Sequence, residues 1–168
     1  MAIVLLVLHL TELGLVIHQQ IPDRPHRRLF LASVSFFFTF LAVRLLVASI
    51  THHIGPFGYV EMEGRHIHHL VWGILLLLIS GYATLAEMGT GDTPQSILMS
   101  RLLSMSYGIG AALTLDEFAL WLNLDPMAYW SHEGRESIDA VVLFGAALAM
   151  GTWGAPLLRW VLRRNANA

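Results

Sequence analysis

Glu63-Gly64-Arg65-His66-Ile67-His68-His69 decides the reading of this chain, because an apolar run over 70–85 follows it directly. Three histidines within four residues stand at the mouth of a segment suited to enter a bilayer. Ionisable groups at bilayer depth are costly and mark sites. His is also the commonest metal ligand. On a helix beginning at His66, that residue and His69 fall one turn apart on one face, while His68 points away. The stretch therefore reads as one wall of a metal site. Its ordinary alternative is a helix end carrying interfacial histidines.

The composition sets the solvent. Of 168 residues, 55% are hydrophobic and only 13% charged, and the mean hydropathy is +0.60. Soluble domains carry about 25% charged residues. The expectation is an all-α, polytopic membrane helix bundle, a single domain over 1–168 with about five transmembrane helices. Cysteine is absent, which excludes disulfides, zinc–thiolate sites and iron–sulfur clusters. A formal net charge of −2 and the lack of a basic stripe give no case for a nucleic-acid partner.

Working outward, the spans are placed at 2–18, 29–54, 66–85, 97–122 and 137–162. The first is interrupted by His9, Glu12 and His18 and lacks the charged start and cleavage site of a signal peptide. Gly55-Pro56-Phe57-Gly58 breaks the second. Gly108 and Gly110 in the fourth allow close helix contact. Arg24, Arg27 and Arg28 in the first loop and Arg159, Arg163 and Arg164 at the other end make these the cytoplasmic sides. The N-terminus is then outside and the C-terminus cytoplasmic.

That orientation gathers distant residues at one depth. His52 and His53 end the second span, and His66, His68 and His69 begin the third. Asp116 and Glu117 lie near the outer end of the fourth. At 1.5 Å rise per residue, Asp116 sits roughly 9 Å, and Arg44 roughly 15 Å, below the outer ends of their spans. An arginine side chain bridges that difference. Glu133, Arg135, Glu136 and Asp139 belong to the outer loop and the start of the fifth span. Glu63-Gly64-Arg65 and Glu133-Gly134-Arg135 echo each other, as in parallel internal repeats.

Imidazoles with carboxylates suit zinc or iron, as one or two divalent ions, better than magnesium or calcium. His66, His69 and His53 are the expected nitrogen ligands, and Asp116, Glu117 and Asp139 the oxygen ligands. His68, His52 and Arg44 support them from outside, with His68 the candidate for a second ion. Asp116 and Glu117 are adjacent acids between two apolar runs, and neither is tolerated facing lipid. The ordinary alternative is that one of them pairs with Arg44 and only holds two spans together. Glu133 or Glu117 is the candidate general base. Arg65 and Arg135 are candidates to grip a phosphate or carboxylate head group. Ser137 is read first as a helix cap and only second as a nucleophile.

His66-Ile67-His68-His69, the run from Tyr107 through Leu115-Asp116-Glu117-Phe118-Ala119-Leu120-Trp121-Leu122, and the run Tyr129-Trp130-Ser131-His132-Glu133-Gly134-Arg135-Glu136-Ser137-Ile138-Asp139-Ala140-Val141 together carry a resemblance. Over about residues 60–142 the chain resembles a group of uncharacterised small bacterial integral membrane proteins. The resemblance implies a bacterial inner membrane and brings no activity with it, so function rests on the site.

The leading expectation is a metal-dependent hydrolase acting on a lipid or lipid-linked substrate in the outer leaflet. In logic only, it is similar to multi-span zinc amidases. A di-iron oxidase or desaturase ranks second, since the Glu-x-x-His pairing of di-iron bundles is missing. A metal or proton transporter or sensor ranks third, because the cytoplasmic halves of the spans are apolar. A bis-His haem protein leaves the adjacent acids unexplained.

Overall fold

The computed structural model describes residues 21, 23–56, 58, 61–62, 65–66, 68–124 and 135–166, with side chains described outside 61–66 and 153–166. The expected first span at 2–18, and Glu133 in the outer loop, lie outside the described residues. The chain is all-α. Its helices are α1 (Arg24–Thr51), α2 (His69–Leu85), α3 (Pro94–Asp116), α4 (Phe118–Asn123) and α5 (Arg135–Ala166). One two-residue antiparallel pairing, Glu61–Met62 with Arg65–His66, precedes α2 and sets Glu61 opposite His66.

Local chemistry explains the helix ends. The Asp23 carboxylate accepts the His26 N–H ahead of α1, and the Thr93 hydroxyl accepts the Ser96 N–H ahead of α3. Each helix has proline in its first two positions, where its missing N–H costs nothing. At the far end of α1, His53 adopts φ 55°. Its N–H bonds Ile50 O, and the Ile54 N–H bonds Ser49 O. This paired closure satisfies orphan carbonyls at the cost of a left-handed residue that is usually glycine. Glu87 closes α2 in the same way, at φ 55° with Met88 N–H on Ala83 O.

α3 is the centre of the packing, with α1 and α2 against it, and α5 lies chiefly on α1. α1 and α3 run parallel. Arg24 at the start of α1 holds Gly91 O at 2.8 Å, Asp92 at 2.7 Å, and Thr90 O, all just before α3. Arg44 near the end of α1 meets Asp116 at the end of α3. α2 and α5 run the other way. The core is Ala32, Phe36, Ala111, Ala112, Val141 and Leu148, with Phe36 edge-on to Phe144 at 5.4 Å. Small residues let the backbones meet. A Cβ on Gly73 would lie 2.9 Å from Gly110 O, and one on Gly108 would collide with the Ala32 carbonyl. The close contact expected at Gly108 and Gly110 is therefore present.

The burial pattern is inverted relative to a water-soluble domain. Ser80, Ser100, Ser104, Asp116, Glu117, Ser137 and Thr152 are buried, while Phe38 (73%), Tyr82 (74%) and Leu85 (86%) are exposed. Large exposed apolar faces mark contact with membrane or protein. Among the described residues, α1 and α3 are long and apolar enough to cross a membrane, and α2 is a shorter apolar helix of 17 residues.

Two glycines separate packing from propensity. Gly108→Ala should destabilise the protein by about 1–3 kcal/mol through overpacking against Ala32. Gly81→Ala, whose Cβ would have nothing within 4 Å, should be neutral or gain up to about 1 kcal/mol. Thermal unfolding of both variants in detergent checks the contrast.

Candidate functional site

The site begins with a helix break. α3 stops at Asp116, and Glu117 takes φ −101°, ψ 20° before α4 resumes. Leu120 and Trp121 both return their N–H groups to Glu117 O, at 3.1 and 3.3 Å. The Ala119 N–H instead goes to Ser137 Oγ at 2.9 Å. Ser137 is fully buried in the first turn of α5. The cap role expected of Ser137 is thus real, but it serves a different helix. Asn123 adds a second tie, donating to Glu136 at 2.7 Å. On an unbroken helix adjacent side chains diverge by about 100°. Here both acids bond to the start of α2.

Asp116 is 0% exposed and joins three helices. Arg44 Nε of α1 donates to its Oδ1, and Arg44 Nη2 reaches the Asp116 carbonyl at 3.3 Å. His69 Nε2 of α2 lies 3.0 Å from its Oδ2. Arg44 also lies over the Phe40 ring at 5.3 Å, a cation–π contact that helps hold a charge far from water. The anticipated bridge between Arg44 and an acid is present, and the acid is Asp116.

Among the described residues, the carboxylate of Glu117, 5% exposed, bonds to the start of α2. Its Oε1 lies 2.9 Å from His68 Nδ1 and 3.5 Å from His69 Nδ1, and its Oε2 accepts the Leu70 N–H at 3.2 Å. His68 makes no side-chain capping bond to α2, and Glu117 caps one donor there, the Leu70 N–H, from across the bundle. A carboxylate there is favoured by the helix dipole.

A carboxylate paired with a guanidinium is an acceptor, so the His69 Nε2–H donates to Asp116. His69 Nδ1 faces Glu117 Oε1 across 3.5 Å, which sets the ring between two carboxylates.

The structure brings His68, His69, Asp116, Glu117 and Arg44 together. His68 was expected to point away and only to support the site, yet it bonds Glu117 directly. The reason is that α2 starts at His69 rather than His66, so His66 and His69 do not share a helical face. His52 and His53 are exposed at the closure of α1, and Asp139 and Arg135 are exposed on α5. None of these four is drawn to the acid pair among the described contacts. The side chains of His66 and Arg65 lie outside the described part of the structure. Among the described residues, no three His, Asp or Glu side chains are arranged to hold a metal ion as they stand. Ser137 is the member that sequence reasoning placed without its partner. Its position behind an acid pair at a helix break was the available signal.

Breaking one side of a buried ion pair costs about 3–5 kcal/mol, whereas replacing both partners with apolar groups is often neutral. Asp116→Ala should therefore unfold markedly earlier than Arg44→Leu combined with Asp116→Leu. Thermal denaturation in detergent reads the difference. No known protein family, curated protein or solved structure matches the chain.

Proposed function

We propose that this chain is a multi-pass protein of the bacterial inner membrane that binds a divalent transition metal, zinc or iron, at the His68–His69 and Asp116–Glu117 cluster. The carrying observation is the convergence of two imidazoles on one carboxylate oxygen, with His69 Nδ1 3.5 Å from Glu117 Oε1 and His68 Nδ1 2.9 Å from the same oxygen. Ligand atoms on a tetrahedral zinc or iron centre stand roughly 3.3 Å apart, given bonds of about 2.0–2.1 Å. The two separations bracket that value. A cation would replace the protons now shared within the cluster, as metals do in sites that also exist without them. The imidazoles need to close further, and at 36% and 23% side-chain exposure they have room to turn.

The chemistry that fits is hydrolysis of a lipid or lipid-linked substrate in the outer leaflet. Such an ion supplies Lewis acidity to a carbonyl or phosphoryl oxygen and to water. Glu133 or Glu117 takes the proton, and Arg65 and Arg135 hold the head group. Support for the leaflet comes from the basic residues 24, 27 and 28, which lie at the end of α1 opposite the cluster. By the positive-inside rule this favours the cluster on the outer side, with the N-terminus outside and the C-terminus cytoplasmic.

A second reading has its own observation. Arg44 neutralises Asp116, and Glu117 Oε2 caps α2. On that ground the cluster is a brace among three helices and holds no metal.

Metal analysis decides between them. Chain purified after zinc or anaerobic ferrous loading should carry about one ion per site, and His69→Ala and Glu117→Ala should each remove most of it. Wild-type chain that takes up neither metal leaves only the brace. Topology has a separate check, made simple by the absence of native cysteine. A cysteine introduced by Ser131→Cys should react with an impermeant maleimide on intact cells, and one introduced by Arg164→Cys only after lysis.

A further inference from the structure

We propose that the end of the α1–α3 seam opposite the acid pair binds the phosphate of an anionic phospholipid, with Arg28 and Arg101 as its two cationic contacts. This rests on the membrane reading of the helices and is independent of the metal reading. The seam is made of two facing stripes. On α1, residues 24, 28, 32 and 35 follow at spacings of four, four and three, and so share a face. The inner two meet α3: a Cβ on Gly108 would collide with the Ala32 carbonyl, and Ser35 Oγ donates to Met105 O at 3.2 Å. On α3, residues 101, 105 and 108 repeat at four and three. The helices run parallel, so both stripes continue to the same end and finish in arginine. Measured from the Ala32–Gly108 contact, Arg28 stands about 6 Å and Arg24 about 12 Å along α1, and Arg101 about 10 Å along α3.

The three charges are not equally met. Arg24 is spent on Asp92, at 2.7 Å, and on the carbonyls of Thr90 and Gly91. Of the other described acids at this end, Asp23 is bonded to His26, and Glu87 lies in the turn that closes α2. Among the described residues, neither Arg28 nor Arg101 makes a hydrogen bond or an ion pair. Arg28 is half-buried and Arg101 exposed. Two like charges at one depth on touching helices repel until an anion joins them. The chain has ten arginines and no lysine, and the planar fork of arginine grips phosphate through two N–H groups. Basic pockets between membrane helices on the cytoplasmic side bind lipid head groups. The neighbouring surface selects a lipid over a soluble phosphate. Leu98 (57%), Leu102 (49%) and Met105 (41%) form an exposed apolar stripe on α3 beside Arg101, suited to acyl chains. A zwitterionic lipid carries its own cation and is disfavoured beside two arginines.

The purified full-length chain in neutral detergent is titrated with dioleoyl phosphatidylglycerol, with dioleoyl phosphatidylcholine and with glycerol phosphate, and bound molecules are counted by native mass spectrometry. Phosphatidylglycerol should bind at least about tenfold more tightly than either of the others. Arg28→Gln combined with Arg101→Gln should abolish that preference. Arg28→Lys combined with Arg101→Lys should restore only part of it, because the charges return without the fork. Arg163→Gln combined with Arg164→Gln removes as much charge from the same end of the bundle and should leave the preference within about twofold. Equal binding of phosphatidylcholine overturns the site. So does an equal loss in the 163/164 variant, which assigns the preference to the general positive field. Glycerol phosphate bound as tightly as phosphatidylglycerol overturns the lipid source. A chain washed from membranes as a soluble protein overturns the membrane placement, whereas a membrane-embedded chain without the preference overturns the site alone. The three ligands on wild-type chain decide the matter even if the glutamine variant does not fold.

Discussion

An arginine and an aspartate meet where apolar helices surround them, and the rest of the architecture is constrained by that meeting. Asp116 has no access to solvent, and Arg44 has little. Charges removed from water cost several kcal/mol each unless their partners are close and well aimed. α1 and α3 must therefore run parallel, at the register that puts residue 44 beside residue 116. The tight passage of Gly108 beneath Ala32 is the packing counterpart of that register, about two to three turns toward the opposite end. Arg24 fixes the remaining end through the turn before α3. Polar contacts at both ends and a small-residue contact between them leave the two helices little freedom to slide.

The break at Glu117 follows from the same constraint. A continuous helix would send Asp116 and its neighbour to different faces, and only one acid could meet α2. The non-helical backbone at Glu117 brings both to α2 but frees a buried amide. Ser137, arriving from α5, accepts that amide. Irregular backbone in an apolar setting is tolerated only where other groups satisfy it. The first turn of α5 is thus part of the acid site even though Arg135, Ile138 and Asp139 on the same turn are exposed.

Much of this was legible in the sequence where chemistry was local or depth was enough. Adjacent acids between apolar runs marked a buried site. Counting residues from the span ends brought Arg44 within reach of an acid. Glycines at 108 and 110 foretold close helices. The failures share one cause: helix termini here are set by partners distant in sequence. His66 was expected to share a face with His69, but α2 begins at the residue whose neighbouring amide Glu117 caps from across the bundle. The pair His68 and His69 then faces the acids as a junction between loop and helix, which no periodicity describes. His53 looked like a ligand because the expected topology put the end of its span at the depth of the acids. The backbone explains it instead, as a left-handed closure of α1. Asp139 was placed by depth, at the start of the fifth span, but it is exposed on α5 and makes no described contact with the acids.

A brace needs fewer groups than this cluster holds. Arg44 with Asp116 suffices to lock α1 to α3, and one carboxylate suffices to cap α2. Neither task calls for two imidazoles on the same carboxylate oxygen. Unneeded polar groups in an apolar bundle each carry a desolvation cost. They also leave part of their surface open: both imidazoles stay partly exposed while the two acids do not. A purely structural network gains by burying all of its members. One that meets a ligand must leave donors within reach, and on the proposed metal reading the two imidazoles at the edge of the cluster are those donors.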